Sequence, residues 1–390
     1  MGSLYFFNPG CELEVANGSK NYNLQKFPKI LENDLRTLPM FFAEKNDTVL
    51  INKPIENTFI NTWKDRFCTC FMTVDEIKKQ EKKFEKFIPW GISPRAFHLV
   101  EEMNFSLNFY KNGFENKHKK LFSRESSADF CKKFYKEFPF DEIFPKKNEL
   151  PFIAKTVEEA TLFFKEKFSE KALGAVFKAP FASSGRGVRI FRNNSLTDNI
   201  LQWTGFVIKT QGAVECETFF DRKQDFSMHY KIEEKKIEFK GMSLFETADN
   251  GFYLSSRIGK FFDKIPLFNA LNVKQLAEYQ TKILEKTVYT ENYSGNLGID
   301  CMVYSQNGSL KLNPCVEINC RNSMGALAMN LEDLTEKGSK CSFHVFQKQK
   351  STEMLSKKPQ IISGKLKSGF LSLTPQENGI FAAGILAEEI

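Results

Sequence analysis

The chain has 390 residues, 42% of them hydrophobic and 26% charged, the composition of a folded protein too long for one simple core, so two or three domains are expected. Its net charge of +7 comes from lysines and acids mixed along the chain, which argues against a nucleic-acid partner, and no apolar run approaches bilayer length, which argues against a membrane. Nine scattered cysteines with no CxxC pair, and four histidines outside metal-ligand spacing with any cysteine, exclude a zinc site and a disulfide framework and fit a reducing cytoplasm.

The N-terminus, MGSLYFFNPGCELEV, lacks the basic stretch and apolar core of a secretion signal, and Phe6 stands where a myristoylation signal needs Ser or Thr. LYFFNP reads as a strand ending in an Asn-Pro turn, and DTVLIN (47–52) as a second strand. IKKQEKKFEKF (77–87) reads as a solvated helix face. In PWGISPR, Ser93 is a helix cap with Pro94 at the first helical position. KKFYKEFPFDEIF (132–144) reads as a helix that ends near Pro139. The alternation predicts an open α/β domain over residues 1–150.

The character changes at Pro151. A short strand precedes a helix that starts at Thr156 with Glu159 three residues on, a capping box. ALGAVFKAP is a strand that delivers Lys178 to the lip of a turn containing Ser183, Ser184, Gly185, Arg186 and Gly187, and GVRIF (187–191) is the returning strand. Such a turn covers a phosphate or is a plain hairpin; it is neither a GxxxxGK loop nor a GxGxxG fingerprint. GFVIKT (205–210) and AVECETFF (213–220) are further strand candidates. The stretch 151–224 is expected to form one small subdomain and 225–390 a larger one with a C-terminal extension.

In the larger part, DFSMHYKIEEKKIEFKGMSLFET (225–247) reads as a long hairpin and NVKQLAEYQTKILEKTVYT (272–290) as an amphipathic helix. Residues 298–320 form a hairpin around Asn307-Gly308. Counting outward from that turn sets Cys315 opposite Asp300 and makes Glu317 the diagonal neighbour of Asp300. Asn319 lies on the same face, while Val316 and Ile318 point the other way. Asp300, Glu317 and Asn319 thus converge as oxygen ligands suited to a hard cation, Mg²⁺ before Ca²⁺. Pro314 is placed to introduce a bulge and shift this count.

Taken together, AVFKAPFASSGRGVRIF, AVECETFF, DFSM, GID and EINCRNSMG resemble the ATP-grasp superfamily over residues 151–330. The resemblance implies an α/β N-terminal domain followed by an α+β ATP clamp of two subdomains. It implies that Lys178 contacts the α- and β-phosphates, that residues 183–187 form a lid over them, and that Glu215 and Cys216 form the hinge that meets adenine. Asp225 falls near the ribose, and Asp300, Glu317 and Asn319 hold the metal. Arg321 reaches the transferred phosphate, and Arg124 stands where the family often has an earlier phosphate-binding lysine. The implied activity is a cytoplasmic, Mg²⁺- and ATP-dependent ligase that joins a small-molecule or peptide carboxylate to an amine, or less often a thiol, through an acyl phosphate; a homodimer is compatible with it. A small-molecule kinase and a nucleotide-binding module without catalysis are the alternatives. In FETADNGFYLSSRIGK (245–260), read as an acceptor-facing loop, Arg257 is the candidate partner of a substrate carboxylate. NPGCELEVANGSKNY (8–22) is a candidate to line the site from the first domain, with no chemical reason to name for it, and the last 60 residues match no motif.

Overall fold

In the computed structural model the apolar centre of LYFF forms β1 (Leu4–Phe6), followed by α1 (Cys11–Asn17), α2 (Lys26–Asp34), β2 (Thr48–Leu50), α3 (Asn57–Trp63), β3 (Cys70–Met72), α4 (Val74–Lys79), β4 (Phe87–Pro89) and α5 (Pro94–Glu102). The structure describes all residues except 1, 65, 68–69, 104–113, 140–141, 170–172, 183–186, 193–195, 249–252, 260–266, 268–271, 376–378 and 389–390. It divides into two compact units, one of Met1–Glu115, Leu254–Lys260 and Arg321–Ile390, the other of Asn116–Tyr253 and Phe261–Cys320.

In the first unit the strands run parallel in the order β3-β2-β1-β4. Leu4, Leu50 and Met72 are buried among Ile77 and Phe84. The chain winds outward from β1 to β2 and β3, then returns to the other side of β1 as β4, so the order reverses between β1 and β4. Asn8, just past β1, spans that reversal: its Nδ2 donates to the Gly91 carbonyl at 2.8 Å and its Oδ1 accepts from the Gly91 N–H at 3.1 Å. Ser93 caps α5, its Oγ accepting from the Ala96 N–H at 3.1 Å, with Pro94 in the first turn as expected.

The basic run 77–87 is not one helix face. Its helix ends at Lys79, and Glu81 takes a left-handed conformation (φ 47°). Phe84 is buried and Phe87 packs on the same core, so these two side chains draw the chain into β4.

The second unit opens with α6 (Asn116–Leu121) and α7 (Arg124–Glu137), the latter ending before Pro139 as expected. Then come β5 (Phe152–Ala154), α8 (Val157–Ser169), β6 (Ala175–Lys178), β7 (Val188–Phe191), α9 (Asp198–Gln211) and β8 (Val214–Thr218). The Thr156 cap is present, the Glu159 N–H donating to Thr156 Oγ1 at 3.2 Å, but the return bond of a capping box is not: Glu159 Oε2 accepts from the N–H of Lys155, one residue before the cap, at 2.6 Å. The four strands form an antiparallel sheet in the order β5-β8-β6-β7 over a core that includes Phe164, Phe177, Phe191 and Val214.

GFVIKT, expected as a strand, lies in α9. Its β-branched residues gave the strand reading, but the side chains that reach the core are Ile200, Trp203, Val207 and Ile208, a helical spacing, and Gly212 (φ 89°) closes the helix.

The unit continues with β9 (Asp221–Glu233) and β10 (Lys236–Thr247), the expected hairpin, whose two-residue turn places Glu234 (φ 50°) and Lys235 (φ 65°) in the left-handed region. After β11 (Tyr253–Ile258) come α10 (Val273–Leu284), α11 (Val288–Asn292), β12 (Gly295–Gln306) and β13 (Ser309–Asn319). Within this unit the strand order is β13-β12-β9-β10.

The C-terminal residues return to the first unit as β14 (Cys341–Gln347), β15 (Gln360–Ile362), β16 (Lys365–Ser372) and β17 (Phe381–Ala387), ordered β11-β14-β17-β16-β15. They are tied to the parallel-sheet part by Asp34, whose Oδ2 accepts from the N–H groups of Ile380 and Phe381 at 2.8 and 2.9 Å. The Thr37 hydroxyl donates to the Leu373 carbonyl at 3.1 Å.

Gly91 explains its own place in PWGISPR. A Cβ there would stand 2.4 Å from Cys11 Sγ and 3.2 Å from Arg321 Cβ. Gly91→Ala is therefore expected to cost about 1–3 kcal/mol of stability through overpacking. Adding Cys11→Ala should restore most of that in thermal melts; a single variant as stable as wild type would contradict the packing account.

Candidate functional site

Lys178 ends β6, in register with Glu215 on β8 and Val188 on β7. Its Nζ lies 2.5 Å from Glu217 Oε2, and the side chain is buried. Burial alone would lower its pKa, but the carboxylates of Glu217 and Glu215 outweigh that and hold it above the ordinary lysine value. The alternation of β8 sends neighbours to opposite faces, so Glu215 and Glu217 share a face while Cys216 is buried in the apolar core with Phe177. Glu217 is not among the residues that the sequence singles out; its two-residue spacing from Glu215 is the signal that it shares the site.

Glu215 is 1% exposed, and neither of its carboxylate oxygens has a hydrogen-bond partner among the described residues. Burial, then the charge of Glu217, push its pKa well above the usual carboxylate range, against the pull of Lys178 and Arg124. Arg124, the first residue of α7, lies with Nε 3.7 Å from Glu215 Oε2. Its Nη2 donates to Glu317 Oε1 at 2.7 Å and its Nη1 to the Ala179 carbonyl at 2.6 Å. Burial opposes its charge, but Glu317 and Glu215 more than compensate, so the guanidinium stays protonated. One buried cation thereby joins the segment after Lys178 to β13.

On β13, Glu317 stands directly opposite Asp300, not diagonal to it. The register of the hairpin shifts between Asp300 and Met302, near Pro314. The shift is two residues, so it preserves the alternation, and Asp300, Glu317 and Asn319 remain on one face. Asn319 Nδ2 donates to Asp300 Oδ2 at 3.0 Å, and the Ser227 hydroxyl donates to Asp300 Oδ1. Ser227, which opposes Asp300 across β9, was not anticipated. Asp225 is engaged elsewhere, accepting from Arg222 Nη1 at 2.9 Å and from Thr247 Oγ1 at 3.2 Å. Burial raises its pKa, and those two partners hold it back.

No group of three or more His, Cys, Asp or Glu side chains among the described residues could hold a metal ion. The donor set here is two carboxylates and an amide. Carboxylates directly opposite each other on an antiparallel pair, their Cβ atoms about 5 Å apart, repel; Arg124 offsets one and the Asn319 and Ser227 donors the other. A hard divalent cation, which takes oxygen ligands, fits this arrangement.

Of the expected lid, Ser183, Ser184, Gly185 and Arg186 lie outside the described residues. Gly187 is described: its carbonyl accepts from the Ala179 N–H at 2.8 Å, and a Cβ on it would meet Ala182 Cβ at 2.5 Å. Arg321 belongs to the first unit, where its Nε donates to Glu12 and its Nη1 to the Asn322 carbonyl at 3.2 Å. Arg257 lies on β11, in register with Ser342, so the segment read as a loop is strand at this point, and its side chain is exposed.

No family model matches the chain, and no curated protein sequence matches it. Solved structures do. A biotin carboxylase-β-γ-ATP complex from Campylobacter jejuni aligns over 100% of this chain and 87% of its own at 10% identity, with a TM-score of 0.53. Phosphoribosylamine–glycine ligase from Thermotoga maritima aligns over 99% and 93% at 14% identity (TM-score 0.51). N5-carboxyaminoimidazole ribonucleotide synthetase from Thermus thermophilus aligns over 100% and 94% at 12% identity (TM-score 0.51). At these identities the likeness is one of fold.

The electrostatics of Glu215 can be tested. A carboxyl whose pKa is raised by folding must take up a proton or carry a penalty, so its cost appears as pH rises from the ordinary glutamate range to the folded pKa and persists above it. Glu215→Gln is expected to melt at least as high as wild type at pH 8, and the difference should shrink toward pH 5. A variant several degrees less stable at pH 8 would mean that the attraction of the ionised carboxylate for Arg124 and Lys178 outweighs the cost of burying it.

Proposed function

The chain has the ATP-grasp fold, and on that premise we propose that it is a Mg²⁺-dependent ligase that couples ATP hydrolysis to the joining of a carboxylate and an amine. The observation that carries the reading is one line of polar groups in the second unit. Lys178 pairs with Glu217; Arg124 lies between Glu215 and Glu317; Glu317 faces Asp300; and Asp300 is bonded to Asn319. The end of β6 and the acidic hairpin, far apart in sequence, are two ends of this single array.

In this reading Lys178 and Arg124 bind the phosphates of ATP, exchanging Glu217 and Glu317 for phosphate oxygens. Both cations are buried and kept charged by the acids, so no side chain has to ionise when nucleotide arrives. Asp300, Glu317 and Asn319 would hold Mg²⁺, which supplies neutralisation of phosphate charge when bound. An oxygen of the acid substrate attacks the γ-phosphorus. The bond to the β-phosphate oxygen breaks, and ADP leaves with the electron pair. The amine nitrogen then attacks the acyl carbon, phosphate departs, and the nitrogen loses a proton. Of the lid, Gly187 is the described residue; Glu215 and Cys216 serve as the adenine hinge, and Asp225 as the ribose contact.

The reaction class is tested by product analysis in the presence of hydroxylamine. With the correct acid and no amine, the expected products are ADP and a hydroxamate. A stable phosphorylated alcohol would establish a kinase, and AMP as the sole nucleotide product would refute the mechanism. Lys178→Met, which keeps the buried stem, is expected to weaken ATP binding by about 1.5–3 kcal/mol, the worth of a charge-assisted contact. Unchanged affinity in calorimetry would return the 178–187 segment to the status of a plain hairpin.

A further inference from the structure

The first unit contains a cleft of about 490 Å³ at the carboxyl edge of its parallel sheet, the side on which open α/β sheets take ligands. Its walls come from three elements and from the segment Tyr22–Leu24 that leads into α2. Lys29, Glu32 and Asn33 share one face of α2, Asn52 and Lys53 follow β2, and Arg95 stands in the first turn of α5. The volume suits a small molecule.

The charges of the cleft are arranged in depth. At the floor, Arg95 is held between two acids. Its Nε donates to Glu14 Oε1 at 2.8 Å and its Nη1 to Glu32 Oε1 at 3.2 Å. Glu14 is wholly buried, and Glu32 is 7% exposed. Two carboxylates against one guanidinium leave the floor with one negative charge in excess, in a place where charge is costly. Burial accordingly pushes the Glu32 pKa up to about 6, even with Arg95 beside it. The exposed Lys29 and the half-buried Lys53 put positive charge at the rim. The amides of Asn33 and Asn52 hydrogen-bond each other within the wall. Arg95 pairs with both oxygens of Glu32, and Lys29 adds its charge from the same face of α2, so the cleft has an acidic floor beneath a basic rim.

We propose that this cleft binds a small zwitterion carrying an ammonium and a carboxylate group, a free amino acid being the simplest. The ammonium faces the two acids of the floor, the carboxylate faces Lys29 and Lys53, and the two asparagines take the remaining polar contacts. The NPGCELEVANGSKNY motif then has a use: it supplies Glu14 to the floor and Tyr22 to the wall. The proposal deepens the ligase reading by naming a substrate class, and rests on that reading only for what the bound molecule is used for.

Calorimetry on the full chain provides the test, with the protein amino acids tried singly, and propionate and ethylamine as probes that carry one pole each. At least one amino acid should bind, each one-pole probe at least about tenfold more weakly, and Lys29→Gln/Lys53→Gln should lose about tenfold or more. These two positions lie at the rim, so the double variant should fold. Absence of binding by every amino acid at millimolar concentration, propionate binding as tightly as the best amino acid, or an unaffected double variant would each overturn the proposal. ATP titrated into the same wild-type protein separates the two readings. Amino-acid binding without ATP binding refutes the ligase and leaves the cleft standing; ATP turnover without amino-acid binding does the reverse.

Discussion

A buried guanidinium organises the second unit. Arg124 touches the carboxylates of Glu317 and Glu215 and the carbonyl of Ala179, and almost none of it reaches solvent. A buried arginine cannot shed its proton, so its neighbours must supply negative charge. That requirement explains why the face of β8 that carries Glu215 and Glu217, and the face of β13 that carries Glu317, are acidic where a half-buried strand would otherwise carry apolar or neutral side chains. It also explains why Lys178 keeps its charge in a buried setting. The cluster holds two cations against three acids and leaves Glu215 without a hydrogen bond among the described residues, an arrangement that stability alone does not favour.

The first unit meets a similar problem in a different way. Asn8 closes the gap between β1 and β4 with both ends of its amide, and Gly91 gives up a side chain so that Cys11 and Arg321 can approach. Behind that seam, Glu12 and Glu14 turn to Arg321 and Arg95. The short helix of the NPGCELEV segment is therefore a carrier of acids, and its sequence answers to the arginines it meets rather than to helix propensity.

Much of this was legible in the sequence. Hairpins with Asn-Gly or with a polar two-residue turn announced themselves, as did the Ser93 and Thr156 caps, because these signals are local and each has one physical reading. The shared face of Asp300, Glu317 and Asn319 survived a bulge that moved the pairing by two residues, since a shift of two keeps every side chain on its side. What failed was GFVIKT, where β-branched residues outweighed a helical spacing that only the packed core reveals. Glu217, Ser227 and the Glu14–Arg95–Glu32 array were missed for another reason: their partners lie far along the chain or across a sheet, and pairing at that distance leaves no local pattern. Arg124 is the hub of the cluster, and nothing in LFSRES foretells its partner at position 317.

The central claim is that the lysine at the end of β6 and the acidic pair on β12 and β13 serve one bound nucleotide. Anomalous scattering from crystals grown with Mn²⁺ and a non-hydrolysable ATP analogue tests it most directly. The account predicts a manganese peak between Asp300 and Glu317 with phosphate oxygens on Lys178 and Arg124. A nucleotide bound away from Lys178, or manganese on the phosphates with no ligand from the Asp300–Glu317 pair, would contradict it.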